Sequence, residues 1–241
     1  MKTVLLASAA SLALITGAYA MTAPPAHPPM SIKAPSTTAM HVVPHNGSTT
    51  LYSQNGSTAS SWPASNNLTS GEFTSDDSAG ADDFVLPSGK YTISQVYAPG
   101  ESYGYFGYAY PTSMDVTFYK KIKVTKKGAK AKVLLACNDE PYTNEGGLGD
   151  FLVDISSCAA GTKFKGGKDY YVSVVANNNY ADDSGYWFWQ SRRTQTNGPG
   201  MWENEGGAFG ICPSWNTNAV CFTSGLVGPD YVFELYGSSK K

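Results

Sequence analysis

The chain is expected to fold as an all-β protein, an antiparallel two-sheet sandwich of jelly-roll type with about 8 to 10 strands. Three observations predict this. From about Asn46 onward, short runs with an apolar period of two are separated by Gly, Asn, Asp, Ser and Pro. No stretch carries convincing helical periodicity. Four cysteines stand in loops rich in Gly, Asn and Pro, where disulfides would act as staples. A closed barrel is the main alternative, because periodicity alone does not separate the two.

Residues 1–20 read as a secretory signal peptide. Lys2 gives the positive start, Val4 to Thr16 the apolar stretch, and Ala18-Tyr19-Ala20 an A-x-A cleavage site. That stretch is shorter than the roughly 18 to 20 residues of a spanning helix, and no later segment could span a bilayer. A secreted product, extracellular or periplasmic, without a membrane span is therefore expected. Residues 21–45 hold six of the 14 prolines and all three histidines, His27, His41 and His45, and read as a Pro-rich linker or disordered stalk. Residues 46–241 are expected to form a single β-sandwich domain.

Within that domain, the apolar parity of Tyr91 to Val96 slips by one after Ile93, which predicts a β-bulge near Ser94. In the next clear strand, Met114, Val116 and Phe118 share one face, and Asp115, Thr117 and Tyr119 the other. Lysines then gather between Lys120 and Lys132. Lys121 and Lys123 alternate with Ile122 and Val124, as in an edge strand guarded against pairing. Alternation returns in Phe151, Val153 and Ile155, in Tyr170, Val172 and Val174, and in Tyr231, Phe233 and Leu235. Of the three ways to pair the cysteines, Cys137–Cys158 and Cys212–Cys221 are expected, since each closes a loop with little else to hold it. The lack of a C-x-x-C spacing or a nearby histidine argues against zinc.

Three patterns together resemble a domain family of secreted bacterial proteins with an ADDF-x-x-P-x-G motif. They are Ala81-Asp82-Asp83-Phe84-Val85-Leu86-Pro87-Ser88-Gly89 with Thr92-Ile93, then Tyr171-Val172-Ser173-Val174, then Asp230-Tyr231-Val232-Phe233-Glu234-Leu235-Tyr236-Gly237. The similarity runs from about Leu51 to Gly237 and takes in the Gly185 to Trp189 run and the stretch with Trp202 and Phe209. It implies a jelly-roll-like sandwich, often joined to other extracellular modules. It carries no activity and no catalytic residue.

The chain has no histidine after His45, which removes Ser-His-Asp and Cys-His nucleophiles, H-E-x-x-H zinc sites and imidazole bases from the folded region. Glycoside hydrolysis survives, because it needs only two carboxyl groups. If the protein is an enzyme, Glu203 and Glu205 are the candidates, lying on one face of an extended segment. Calcium is the candidate cofactor, held by Asp76, Asp77, Asp82 and Asp83, which fall within eight residues around Gly80. A second acidic group, Asp182 and Asp183, follows Asn177 to Asn179. Against calcium, Asp82 and Asp83 could simply turn the chain into the Phe84 strand.

Sugar stacking is expected from Tyr105 and Tyr108, in the glycine-spaced run from Tyr103 to Tyr110, and from Trp187, Trp189 and Trp202. A net charge of −2 argues against a nucleic-acid partner. The expected function is thus a non-catalytic secreted module that binds carbohydrate or another extracellular surface. A carboxylate-only glycoside hydrolase and a structural or adhesive envelope or matrix protein are the alternatives.

Overall fold

The computed structural model describes residues 29–35, 47–69, 73–103, 110–179 and 185–240. The first part of the chain forms β1 (Ser31–Lys33), β2 (Thr49–Gln54), β3 (Ser61–Pro63), β4 (Asn66–Leu68), β5 (Ala79–Val85), β6 (Lys90–Ala98) and β7 (Gly100–Tyr103). Next come β8 (Ser113–Thr125), β9 (Gly128–Glu140), β10 (Tyr142–Asn144), β11 (Phe151–Asp154), β12 (Phe164–Lys165) and β13 (Asp169–Asn178). The last part holds β14 (Tyr186–Trp189), β15 (Ser191–Arg192), β16 (Met201–Glu203), β17 (Asn216–Thr217), the short helix α1 (Asn218–Cys221), β18 (Asp230–Tyr231) and β19 (Phe233–Lys240). The expected signal segment and the three histidines lie outside the described residues.

Two sheets carry the fold. One has the order β10-β11-β6-β19-β2, with β12 also on β6; the other has the order β17-β16-β5-β13-β8-β9, with β4 also on β13. Side chains from both sheets meet in one core. Phe84, Met114, Val116, Phe118, Val172 and Val174 enter from the second sheet, and Ile93, Val96, Phe151, Val153, Phe233 and Leu235 from the first. This is an antiparallel sandwich. Rings fill the gap between the sheets, with Phe118 edge-on to Phe164 at 4.9 Å and Phe84 against Tyr170 at 5.7 Å between centroids.

The period-two run of β8 follows from this layering, since Met114, Val116 and Phe118 meet the core and Asp115, Thr117 and Tyr119 lie on the partly exposed face. The bulge falls at Ser94. Tyr236 sits opposite Gln95 and Gly237 opposite Ile93, so Ser94 is the extra residue, and Ile93 and Val96 both reach the core. The lysines lie on the β8–β9 hairpin, which turns between the paired residues Thr125 and Gly128. The edge itself is β9, where Lys130 and Lys132 are exposed; Lys121 and Lys123 stand one strand further in.

Two segments depart from the reading of the sequence. Val232, Glu234 and Tyr236 are as buried as Tyr231, Phe233 and Leu235, because side chains of neighbouring strands in the same sheet close over the outer side of β19. There Tyr236 packs with Tyr97 and Leu152, and Glu234 accepts hydrogen bonds from Ser53, Asn55 and the Tyr236 hydroxyl. The expected stalk is also partly folded. Ser31–Lys33 pairs with β3, and Ile32 and Ala34 pack beside Trp62, Tyr186 and Phe188. Alternating Met30, Ile32 and Ala34 supply this short strand, and the surrounding prolines mask the signal.

Both expected disulfides form. Cys137–Cys158 ties β9 to the turn after β11, and Cys212–Cys221 closes the loop between β16 and the end of α1, with Cα atoms 5.7 and 5.8 Å apart. Two disulfides fit an oxidising compartment. Among the described residues no helix is long and apolar enough to cross a membrane. Replacing Cys137 and Cys158 together by Ser should lower the free energy of unfolding by about 3 kcal/mol, read from the denaturant midpoint. An unchanged midpoint would show that the bridge contributes nothing to stability.

Candidate functional site

The tryptophans expected at a binding surface lie inside the protein. Trp187, Trp189 and Trp202 are each 0 % exposed. Their indole N–H groups donate to the carbonyls of Gly149, Val232 and Ala64 at 2.9, 2.8 and 2.8 Å. Trp189 stacks on Tyr231 at 4.5 Å, and Trp187 on Trp189 at 6.0 Å. The other side of β14 is buried too, with Tyr186 and Phe188 beside Trp62. Burying one such ring stabilises the fold by about 2 to 3 kcal/mol, so the core rather than a ligand claims these side chains. That overturns Trp187, Trp189 and Trp202 as stacking residues. Tyr105 and Tyr108 lie outside the described residues; of their neighbours, Tyr103 is 55 % and Tyr110 44 % exposed.

The four aspartates proposed for calcium also separate. Asp82 points into the sandwich. Its Oδ2 accepts from the Tyr231 amide at 2.7 Å and from Gln54 Nε2 at 2.6 Å, and its Oδ1 accepts from the Asp83 amide at 2.9 Å. Burial, then the Asp230 charge, holds its proton well above the usual carboxylate range. Asp83 points to the opposite side, where Oδ2 accepts from the Gly198 amide at 2.9 Å, and burial pushes it up to about 6. Asp230 accepts from the Thr196 and Gly200 amides and rises to about 7, through burial first and the Asp83 charge second.

Asp77 belongs elsewhere. It accepts from the Leu68 amide at 2.7 Å and is raised to about 6 by burial, with Asp76 and Glu205 adding to the effect. Asp76, Asp77, Asp82 and Asp83 therefore form no common cage. Among the described residues the group of three acidic or cysteine donors within 4.8 Å is Cys137, Glu140 and Cys158, and its sulfurs are bonded to each other. Asp182 and Asp183 lie outside the described residues.

What the residues do assemble is a groove of about 220 Å³ on the outer face of the β17-β16-β5-β13-β8-β9 sheet. Strand register builds it. Ser173 stands opposite Ala81 and Thr117, Val175 opposite Asp115, and Glu203 opposite Ala79. The short side chains of Ala79, Thr117, Ser173 and Val175 leave a hollow between taller neighbours. Asp77, Glu203 and Glu205 line one part of it, and Asp115, Tyr119 and Asn67 complete it. Asp115 is fixed by Asn177 Nδ2 at 2.6 Å and by the Asp139 amide at 2.8 Å.

Glu203 is held by the Trp215 amide, which donates to its Oε2 at 3.1 Å. Trp215 lies in the loop closed by Cys212–Cys221 and packs over Ala81, Ile122 and Met201, edge-on to Tyr119 at 5.8 Å. Burial, then the Glu205 charge, pushes Glu203 up to about 7, while the Trp215 hydrogen bond opposes the rise. Tyr119 is pushed up to about 12 by burial and the Glu203 charge. Near neutral pH the groove thus offers ionised acceptors, amide donors and one carboxyl able to act in either role.

Glu203 and Glu205 share this groove as their spacing implied, and Asp77 joins them from the calcium set. Asp115, Thr117 and Tyr119 were legible only as the wet side of their strand. Asn67 and Ser173 gave no signal, because they reach the groove through cross-strand register. Compared with known protein families, curated proteins and solved structures, the chain matches none.

The raised carboxyls make stability depend on pH. Asp77, Asp83 and Asp150 at about 6, and Glu203 and Asp230 at about 7, hold their protons more tightly than in the unfolded chain, where such groups titrate near 4. Folded protein therefore carries the extra protons between about pH 4 and 7, and stability increases as pH falls through that window. Solvent screening reduces the contribution of each partly exposed group, but all five act in the same direction, so Tm should be at least about 5 °C higher at pH 5 than at pH 8. A Tm that peaks at pH 8 would contradict these raised values.

Proposed function

We propose that the domain is a non-catalytic binding module for an extracellular glycan, and that the ligand lies along the outer face of the seven-stranded sheet. The groove there carries the reading. It presents Asp77, Asp115, Glu203 and Glu205 beside Asn67, Thr117 and Tyr119 on a floor of small side chains. Vicinal hydroxyls donate to carboxylates and accept from amides, and the C–H groups of a pyranose pack on the face of a tyrosine ring. The two disulfides are consistent with work outside the cytoplasm.

Glu203 favours a second reading. A carboxyl raised to about 7 next to other carboxylates is the acid–base pairing that glycoside hydrolysis uses.

A glycan array should give a signal for the wild-type chain. Glu203→Gln and Thr117→Ala, with the fold intact by circular dichroism, should each weaken binding about tenfold, the loss of one or two hydrogen bonds to a charged or polar group. A silent array would sink the binding reading. Reducing-sugar release by the wild type that disappears in Glu203→Gln would replace it with the hydrolase.

A further inference from the structure

A second depression, of about 640 Å³, opens on the same sheet. Sites for small ligands commonly span roughly 300 to 1,000 Å³. Lys120 and Lys121 reach it from β8, Lys168 from the turn before β13, Tyr171 from β13, Asp83 from β5 and Asn197 from the loop after β15. Consecutive residues of a regular strand point to opposite sides, so the presence of both Lys120 and Lys121 requires a cause. The cause is a bulge. Tyr119 sits opposite Val133 and Lys121 opposite Lys132, which leaves Lys120 as an extra residue and re-aims the pair.

Asp83 supplies an independent sign. Its Oδ2 accepts from the Gly198 amide, but its Oδ1 is buried and has no hydrogen-bond partner. A buried acceptor without a donor is costly, and a ligand hydroxyl would remove that cost. The formal charges around the cleft, three lysines against Asp83 and Asp169, leave one positive charge to be balanced.

We infer that this cleft holds a monoanionic sugar residue, with its carboxylate or sulfate ester among Lys120, Lys121 and Lys168, and a hydroxyl donating to Asp83 Oδ1. The inference rests on the glycan-binding reading and adds that the glycan is acidic. Asn197 offers a further amide, and Tyr171 an aromatic wall.

Calorimetric titration with trigalacturonate, with a sulfated trisaccharide lacking carboxylates, and with a neutral trisaccharide tests it. At least one anionic probe should bind about tenfold tighter than the neutral one, a preference that 0.5 M NaCl largely removes. The probe that wins identifies the anion. Substituting Lys120, Lys121 and Lys168 together by Gln, all exposed positions whose change should leave melting intact, should abolish the preference and spare neutral binding. Equal affinity for charged and neutral probes, or a preference that survives the triple substitution, overturns the inference while leaving the glycan reading in place. Failure of all three probes together with a silent array removes both.

Discussion

The contact between Asp82 and Tyr231 is the one on which the rest of the structure depends. Asp82 belongs to β5 in one sheet, and its Oδ2 accepts both the Tyr231 amide and the side chain of Gln54, which ends β2 in the other sheet. Fixed in this way, the Tyr231 ring stacks on Trp189 and lies against Gly80, where an added Cβ would come within 2.9 Å of the ring. Its hydroxyl lies 3.3 Å from the Met201 carbonyl and 3.2 Å from Asn218 Oδ1. A carboxyl this deep inside a sandwich is tolerable only when its oxygens are occupied by donors and its charge is suppressed. Both conditions hold here. The Asp82–Asp83 pair is thus a structural joint, one member facing inward to Tyr231 and the other outward to Gly198.

The joint also sets the outer face. Met201 begins the strand that carries Glu203, and the Thr196 to Gly200 loop, bonded to Asp83 and Asp230, walls the lysine-lined cleft. The tryptophans, meanwhile, are all buried. What the outer face of this sheet presents is carboxylates, amides, hydroxyls and two tyrosines over a floor of small residues. The Cys212–Cys221 loop adds Trp215, which lies over that floor and holds Glu203 through its amide.

Much of the frame was legible because a half-buried strand writes its two environments into alternate residues. Met114 to Tyr119 and the slip at Ser94 are examples, the second because a bulge must shift parity. β14 and β19 were illegible in that respect, since both of their faces are covered and the alternation has no solvent side to report. The tryptophans misled for a related reason: a ring large enough to grip a sugar is also large enough to fill a core, and composition does not separate the two. In the site, Glu203 and Glu205 could be paired from their spacing. Their meeting with Asp77, Asn67 and Asp115 could not, because sheet order and register place residues far apart in the chain side by side. The aspartate cluster showed the converse, since neighbours in sequence at Asp82 and Asp83 face opposite sides of a strand.

The most direct test of the joint is the titration of the Asp82 and Asp230 side-chain carboxyls by ¹³C NMR between pH 3 and 9. The account predicts an Asp230 midpoint near 7 and an Asp82 midpoint well above the usual carboxylate range. Midpoints for both near the ordinary value of about 4 would contradict it.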